Sequence, residues 1–348
     1  MTPRILTSLV DLHHLPADTI IDVRSPSEFA EDHVPGAINL PVLSDAQRAE
    51  VGTIYVQDSA FKARKIGGAL VAQNTATHLQ GPLADHGGDW QALVYCWRGG
   101  QRSGAFATIL NQVGWRVELL KGGYQSYRRL VVSTLYDTPL THRIMLIEGG
   151  TGTAKTALLH HLSKAGAQIL DLEGLAGHRG SLFGATADGQ PAQKMFETLL
   201  AEALGNLDPT RITFVEAESS KIGERMIPPC VWAKMQTAPR IAISAPLSER
   251  ATFLCRAYAD LTTDAETLTS QIDHLRPYHA REVIEAWHAM ARAANWHSFA
   301  SGLISAHYDP RYAKSAADAP KPRRHFDLPN LDDATLAATA AIIAADIT

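Results

Sequence analysis

The chain has 348 residues, of which 45% are hydrophobic and 20% charged, and its formal net charge is −4 at neutral pH. This length predicts two or three domains, and the composition is that of a globular protein without low-complexity tracts. No apolar run approaches the roughly 20 residues of a membrane span, and the first residues lack a signal-peptide pattern, so we expect a cytoplasmic protein. The three cysteines form neither a CxxC pair nor a metal-ligand spacing, which fits a reducing compartment and gives no metal site.

Two short motifs follow the first predicted strand. Residues 19–23 are apolar and predict a buried strand, which runs into the sequence DVRSPSEF at 22–29. The sequence HVPGAINLP at 33–41 then predicts a turn, set by its Pro-Gly pair, that leads into a second strand. We expect Arg24 and Glu28 to hold this loop together.

A long segment at 44–78 separates these motifs from the next strand, and its composition predicts helices. Lys62, Arg64 and Lys65 form a basic cluster within it. Such a cluster either contacts a polyanion or belongs to a solvated helix face, and the sequence leaves both interpretations open.

The stretch 93–104 predicts a strand that delivers Cys96 to a glycine-containing loop at the start of a helix. Backbone N–H groups at a helix N-terminus favour the thiolate of Cys96 over the thiol and can hold an anionic substrate. The alternative is a buried structural cysteine at a strand end. We therefore predict Cys96 as a nucleophile, in a loop whose candidate anion-binding residues are Trp97, Arg98, Gly99, Gly100, Gln101, Arg102 and Ser103.

Together these three motifs resemble the rhodanese family of sulfurtransferases, with its D-x-R…E-F start, its H-x-P-G-A-x-N-x-P stretch and its cysteine loop. The resemblance covers about residues 5–135 and implies an α/β domain. Five residues separate Cys96 from Arg102, a loop length that also occurs in cysteine phosphatases of the cell-cycle type. A phosphatase is therefore an alternative interpretation.

The region that follows is rich in basic residues. Residues 115–120 predict a strand, and a glycine turn then leads into a helix that carries Arg128 and Arg129. Basic residues outnumber acidic ones over 98–143, so we expect the cysteine loop to open onto a positive surface despite the acidic total.

A second glycine-rich loop follows a predicted linker at 138–141 and a predicted strand at 144–147. Strand, glycine-rich loop and helix form the context of a phosphate-binding P-loop, in which Lys155 neutralises phosphates and Thr156 is a candidate ligand of Mg²⁺. Ala154 stands where this motif has its second glycine, so we expect phosphate binding without efficient nucleotide hydrolysis. The candidate phosphate-binding residues are Gly149, Gly150, Thr151, Gly152, Thr153, Ala154, Lys155 and Thr156.

Carboxylates follow the next predicted strand, at 211–215. Glu216 and Glu218 occupy the position where P-loop proteins place an acid that orients a metal or water, although ordinary strand-end polarity is the alternative. The guanine-reading N-K-x-D pattern is absent, which argues against a GTPase. From residue 251 the chain reads as helices, with a basic stretch at 321–324.

These patterns predict an α/β fold with a rhodanese-like domain at 1–136, a P-loop NTPase-like α/β domain at 137–250, and a helical C-terminal region at 251–348 packed on the P-loop domain. The sequence CWRGGQRS at 96–103, LEGLA with HRG at 172–180, VEAES with KIG at 215–223, and HYDP at 307–310 resemble the tRNA 2-selenouridine synthases over nearly the whole length.

The resemblance implies a transferase that replaces the sulfur of the wobble 2-thiouridine of tRNA with selenium from selenophosphate, after geranyl diphosphate alkylates that sulfur. It implies tRNA, selenophosphate and geranyl diphosphate as partners, and no tightly bound cofactor. A thiolate in an anion-binding loop and a P-loop able to hold a diphosphate suit this chemistry, and the basic stretches suit tRNA. The alternative is a rhodanese-type sulfurtransferase or Cys-x5-Arg phosphatase coupled to a P-loop ATPase.

Overall fold

The structure, a computed structural model, describes residues 3–317 and 320–347. The contacts between Cα atoms divide the chain into two compact units. One consists of Met1–Pro139 with Pro191–Asn206, and the other of Leu140–Gln190 with Leu207–Thr348. Within the described residues, none of the helices combines the length and the apolar character that crossing a membrane requires.

The first unit is built on a parallel sheet. Its elements from the start of the chain are β1 (Pro3–Arg4), β2 (Thr19–Asp22), α1 (Pro26–Glu31), β3 (Ala37–Asn39), α2 (Asp45–Gln57), α3 (Ala60–Gln80), β4 (Gln91–Tyr95), α4 (Gln101–Val113), β5 (Arg116–Leu120) and α5 (Gly123–Val132), with a 3-10 helix at Leu9–His14 and a π-helical turn at Ser133–Asp137. In the described residues the strand order is β1-β5-β4-β2-β3.

The central strand β4 positions the cysteine loop. Residues 92–95 of this strand are all buried, as expected for a parallel strand covered on both faces. Because Cys96 follows β4 directly and α4 begins only five residues later, the loop lies at the carboxyl edge of the sheet, as the sequence predicts. The long segment between the motifs forms the two helices α2 and α3.

The second unit carries the P-loop on another parallel sheet. The elements that follow α5 along the chain, whichever unit they belong to, are β6 (Arg143–Glu148), α6 (Lys155–Lys164), β7 (Gln168–Leu170), α7 (Leu172–Ala176), α8 (Gln193–Gly205), β8 (Ile212–Glu216), β9 (Lys221–Ile222), β10 (Arg225–Met226), α9 (Pro229–Thr237), β11 (Arg240–Ser244), α10 (Leu247–Ala257), α11 (Ala265–Asp273), α12 (Arg281–Arg292), α13 (Trp296–Leu303), α14 (Asp309–Ala317), β12 (Arg324–Asp327) and α15 (Asp333–Ile347). The order of the larger sheet is β12-β11-β6-β8-β7, within the part of the chain that the structure describes.

Two features differ from the sequence-based division of the chain. The contacts assign α8 to the first unit, although the sequence placed it in the P-loop domain. Glu197 of α8 accepts a hydrogen bond from the Tyr136 hydroxyl (2.7 Å) and pairs with Arg128. The C-terminal region also contains β12, which extends the second sheet by pairing in parallel with β11, so this region is not purely helical.

The described part of the second unit contains two large apolar clusters and a small third one around Ala251, Ala300 and Ile304. One lies under the sheet and includes Ile147, Leu158 and Phe214. The other joins α11, α12 and α13, and Phe183 packs into it from the loop that follows α7. This second cluster gives the helical region a core of its own beside the P-loop.

Candidate active sites

The sulfur of Cys96 receives two hydrogen bonds at the start of α4. Its Sγ atom accepts hydrogen bonds from the Gly100 amide nitrogen (3.3 Å) and the Ser103 hydroxyl (3.2 Å). Cys96 and Ser103 are both buried. Both donors belong to the segment that leads into α4, so the loop holds this sulfur at the N-terminal end of the helix.

The turn before α5 supports the cysteine loop through its backbone. The amide of Tyr124 donates to the Cys96 carbonyl (2.8 Å), and the amide of Gln125 donates to the Trp97 carbonyl (3.0 Å). Gly123 has φ +60°, and a Cβ atom on it would overlap the Cys96 oxygen and the loop backbone. Only glycine therefore permits this approach, which the sequence indicated merely as a turn.

The two N-terminal motifs form the base of this loop. The buried guanidinium of Arg24 pairs with Asp22 (2.6 Å) and lies over the ring of Tyr124, 3.9 Å from its centre. The Tyr124 hydroxyl donates to Asp32 (2.6 Å), and the Asn39 amide donates to the carbonyls of Asp22 and Arg24 (3.0 Å each). The polar groups of these motif residues are therefore used in contacts with one another and with Tyr124. Through Tyr124 they hold the turn that supports the cysteine loop.

Arg102 links α4 to α1. Its two terminal nitrogens donate to Glu28, at 2.8 and 3.3 Å, and Arg48 lies 3.0 Å from the same carboxylate. Burial opposes the ionisation of Glu28, but the Arg102 guanidinium outweighs it and holds the pKa of Glu28 below its usual range. Trp97 is another predicted loop residue, and the centre of its ring lies 5.3 Å from the centre of the Tyr124 ring. Arg98, Gly100 and Gln101 are exposed, and Gly99 is half-buried.

The P-loop connects β6 to α6 as the sequence predicts. The Lys155 ammonium donates to the Gly149 carbonyl (3.1 Å), and the Thr153 hydroxyl donates to the Gly150 carbonyl (2.8 Å). Ala154 has φ +61°, a left-handed conformation that costs a non-glycine residue roughly 1–2 kcal/mol. This backbone conformation explains why glycine suits the position, and the alanine methyl group is buried there.

Two carboxyl groups lie beside the end of the P-loop. The Thr156 hydroxyl donates to Glu173 (2.8 Å), and Glu218 forms a side-chain hydrogen bond with Glu173. Glu216, the other predicted carboxylate, is fully buried and accepts a hydrogen bond from the Leu172 amide (3.2 Å) at the start of α7. The structure thus pairs Glu218 with Glu173, whose role the sequence did not indicate, and leaves Glu216 beneath the site.

Burial raises the pKa of both carboxyl groups of this pair. Burial raises the pKa of Glu218 to about 7, although Lys155 opposes the shift, and the charge of Glu173 adds to it. Burial likewise raises the pKa of Glu173 and, well above its ordinary value, that of Glu216. Gly180, at φ +66°, lies against the pair, since a Cβ atom on it would be only 2.5 Å from Glu173 Oε1 and 2.8 Å from Glu218 Oε2.

A buried arginine fixes the other side of the P-loop. Nε and Nη2 of Arg250, on α10, donate to the Thr151 carbonyl at 2.9 and 2.8 Å. The same guanidinium pairs with Asp309 at the start of α14 (2.6 Å). The sequence showed Asp309 only as part of the HYDP motif, because nothing local reveals a partner 59 residues away.

The P-loop and both carboxyl groups of the pair line one cavity of about 410 Å³. Of the predicted phosphate-binding residues, Gly149 and residues 151–156 face it, whereas Gly150 lies against Arg250. The other lining residues come from loops and from the helical region: Glu173, Arg179, Gly180, Ser181, Ala217, Glu218, Phe253, Leu254, Ala257, Tyr258, Tyr308 and Tyr312. The cavity therefore combines the backbone of the glycine-rich loop with aromatic walls.

The predicted basic surface is only partly present. The Arg128 side chain is 17% exposed and pairs with Glu197, so its prediction as a surface contact for phosphate is wrong. Arg324 likewise pairs with Asp346. The neighbouring Arg129 is exposed, and the exposed basic side chains elsewhere include Arg64, Lys65, Arg98, Lys321 and Arg323.

Comparison with known proteins connects both sites to one family. Residues 6–130 match the rhodanese-like domain, and residues 142–280 match the tRNA 2-selenouridine synthase AAA domain. The tRNA 2-selenouridine synthase of Nitrosomonas europaea is 36% identical over 242 residues, which cover 67% of this chain and 62% of that protein. That of Psychromonas ingrahamii is 33% identical over 246 residues, covering 70% of this chain and 66% of that protein.

Among solved structures, a rhodanese-related protein from Thermoplasma volcanium aligns with 37% of this chain and 92% of its own, at 21% identity and a TM-score of 0.24. The chain spans 62% and 66% of the length of the two curated relatives above. Its rhodanese-like domain precedes an AAA domain of the type that the synthases carry. The chain belongs to the tRNA 2-selenouridine synthase family.

Proposed function

We propose that this protein is a transferase that converts the wobble 2-thiouridine of tRNA to 2-selenouridine, with geranyl diphosphate and selenophosphate as co-substrates. The observation that carries the proposal is the P-loop cavity, which Lys155 and the glycine-rich loop line together with Glu173 and Glu218. Such a site suits an anion of the size of a diphosphate. The names of the relatives and the cysteine loop support the same reaction.

In the first step the thiocarbonyl sulfur attacks C1 of geranyl diphosphate. A C–S bond forms, the C–O bond breaks, diphosphate leaves with the bonding electrons, and N3 of the base loses its proton. The ammonium of Lys155 and the amides at the start of α6 would stabilise the negative charge that develops on the leaving group. No ATP is consumed, which agrees with the alanine at position 154.

The oxygen atoms beside the P-loop also suit Mg²⁺. Thr156 and Glu173, whose side-chain oxygens lie 2.8 Å apart, would hold the ion. When bound, Mg²⁺ would neutralise charge on the diphosphate.

In the second step Cys96 acts as a nucleophile on the base. Its thiolate attacks C2 of the alkylated nucleoside, and geranylthiolate leaves with the C–S electrons. The selenium of selenophosphate then displaces Cys96, hydrolysis of the Se–P bond releases phosphate, and N3 regains a proton. Selenium stays at the selenide level throughout, so this order needs no oxidant. The donors from Gly100 and Ser103 to Sγ suit a sulfur that both attacks and leaves.

Two variants separate these steps. Lys155→Ala removes a charge-assisted contact worth roughly 1.5–3 kcal/mol, so geranylation should fall by about one to two decades. With pre-geranylated tRNA and selenophosphate, this variant should still form 2-selenouridine. Cys96→Ser should do the opposite and accumulate geranylated tRNA, whereas Cys230→Ser should behave like the wild type.

The alternatives make different predictions for the same proteins. Unchanged geranylation in Lys155→Ala, or a requirement for ATP in the wild type, would contradict the assignment of the P-loop. Phosphate release from an aryl phosphate that disappears in Cys96→Ser would favour the phosphatase, for which Arg102 would have to leave Glu28 and face the phosphate.

A further inference from the structure

A second, smaller cavity lies beside the P-loop cavity in the same unit. Its volume is about 70 Å³, and its lining is almost wholly apolar. The side chains that line only this cavity include Phe183, Leu268, Trp296, Phe299 and Leu303. Most of these belong to the apolar cluster of the helical region, so the cavity is an opening into that core.

The two cavities adjoin and share part of their walls. Thr151, Ser181, Leu254, Tyr258 and Tyr308 line both of them. The Ser181 and Tyr258 hydroxyls lie 3.0 Å apart at this boundary, and Tyr308 ends a π-helical turn there. A ligand that crosses this boundary from the P-loop passes from a polar site into an apolar one.

We propose that the apolar cavity holds the far end of the hydrocarbon chain of a prenyl diphosphate and that its inner side chains determine which chain length the protein accepts. This inference rests on the proposed function, in which the P-loop holds the diphosphate of such a ligand. A nucleobase fits the cavity poorly, because its ring donors and acceptors would be buried with almost no polar partners. A prenyl diphosphate matches both cavities, with its diphosphate and the adjoining part of its chain in the larger cavity of about 410 Å³ and the end of its chain in the apolar cavity of about 70 Å³.

The inner wall of the apolar cavity limits the length of a bound chain, because this wall is part of a packed core. Phe183 and Phe299 contact edge to face, with ring centres 6.2 Å apart, and both are buried. Side chains in such a core cannot move aside without losing contacts, so added atoms meet a fixed surface. Cys255 lines the cavity from α10 and is half-buried, so a larger side chain at this position would take up the space of the cavity.

The test measures relative kcat/KM for dimethylallyl, geranyl and farnesyl diphosphate, in the alkylation of tRNA that contains 2-thiouridine. Cys255→Trp should fill the cavity and shift the preference from geranyl towards dimethylallyl diphosphate by at least tenfold, given that one methylene in an apolar pocket changes discrimination by roughly 10–200-fold. Leu268→Ala should enlarge it and raise the relative rate with farnesyl diphosphate. Cys230→Trp is the matched control, because Cys230 is also half-buried on a helix but does not line the cavity.

The affinity for inorganic diphosphate, measured by calorimetry, should be equal in the wild type and the three variants. Equal affinities would show that the P-loop cavity is intact in all four proteins. If the wild type alkylates tRNA but Cys255→Trp and Leu268→Ala keep its chain-length preference, the cavity is a packing void and the inference fails while the proposed function stands. If the wild type uses no prenyl diphosphate and binds geranyl diphosphate no better than inorganic diphosphate, both are overturned.

Discussion

Glu218→Gln tests whether the carboxyl pair beside Lys155 holds a proton at neutral pH. Burial raises the pKa of Glu218 from its ordinary value of 4.5 to about 7. The unfolded chain therefore loses this proton above about pH 4.5, whereas the folded protein retains it up to about pH 7. Because the folded state binds more protons in this interval, its stability falls as the pH rises from 5 to 7.

The interval between the two pKa values corresponds to about 3 kcal/mol, at about 1.4 kcal/mol for each pH unit. In a unit of about 190 residues, 1 kcal/mol shifts the melting temperature by about 2–4 °C. Glutamine has nearly the same shape as glutamate and does not ionise. Between pH 5 and pH 8, the melting temperature of the second unit should therefore fall by about 6–12 °C more in the wild type than in Glu218→Gln.

Calorimetric melting curves at several pH values measure this difference directly. Glu224→Gln is the control, since the Glu224 side chain is 81% exposed and its curve should run parallel to that of the wild type. Glu173 is hydrogen-bonded to Glu218, so this comparison measures the titration of the pair, and Glu224→Gln controls for carboxyl groups elsewhere. The contrary result is a difference in melting temperature between the wild type and Glu218→Gln that is the same at pH 5 and at pH 8. Glu218 would then be ionised throughout this range, and the carboxyl pair would hold no proton at neutral pH.

Further variants probe the two loops and the predicted tRNA surface. Gly123→Ala should abolish selenium transfer to pre-geranylated tRNA, because its methyl group would displace the cysteine loop; wild-type activity would mean that the backbone contact is dispensable. Arg128→Glu should destabilise the first unit by about 3 kcal/mol, as it faces Glu197 in a mostly buried pair, and an unchanged melting temperature would contradict this. Arg129→Glu should leave melting unchanged and weaken tRNA binding several-fold at low salt, an effect that must shrink at high salt if it is electrostatic. Ala154→Gly should raise the melting temperature of the second unit by a few degrees, since relief of the left-handed conformation outweighs the roughly 0.4–1 kcal/mol that glycine adds to unfolded-state entropy; a lower melting temperature would show that the alanine is not strained.

The sequence predicted both loops because each is a local pattern. An apolar strand, a glycine-rich turn and a helix start place Cys96 and Lys155 at the carboxyl edges of their sheets, whatever the rest of the chain does. The α/β class of both units follows from the same alternation of strands and helices.

The contacts that complete the sites could not be read from the sequence, because they join residues far apart in the chain. Arg102 meets Glu28 across 74 positions, and Arg250 meets Asp309 across 59. Local charge counting also treated Arg128 as a surface residue, although its partner Glu197 lies 69 positions away. The apolar cavity depends on how the C-terminal helices pack, and helix periodicity alone does not reveal a gap between them.

The most direct test of the proposed function is mass spectrometry of nucleosides from 2-thiouridine tRNA incubated with the purified wild-type protein, without ATP. With geranyl diphosphate alone, S-geranyl-2-thiouridine should accumulate, and later addition of selenophosphate should convert it to 2-selenouridine. Formation of 2-selenouridine from selenophosphate without any geranyl diphosphate, or only when ATP is added, would contradict the account.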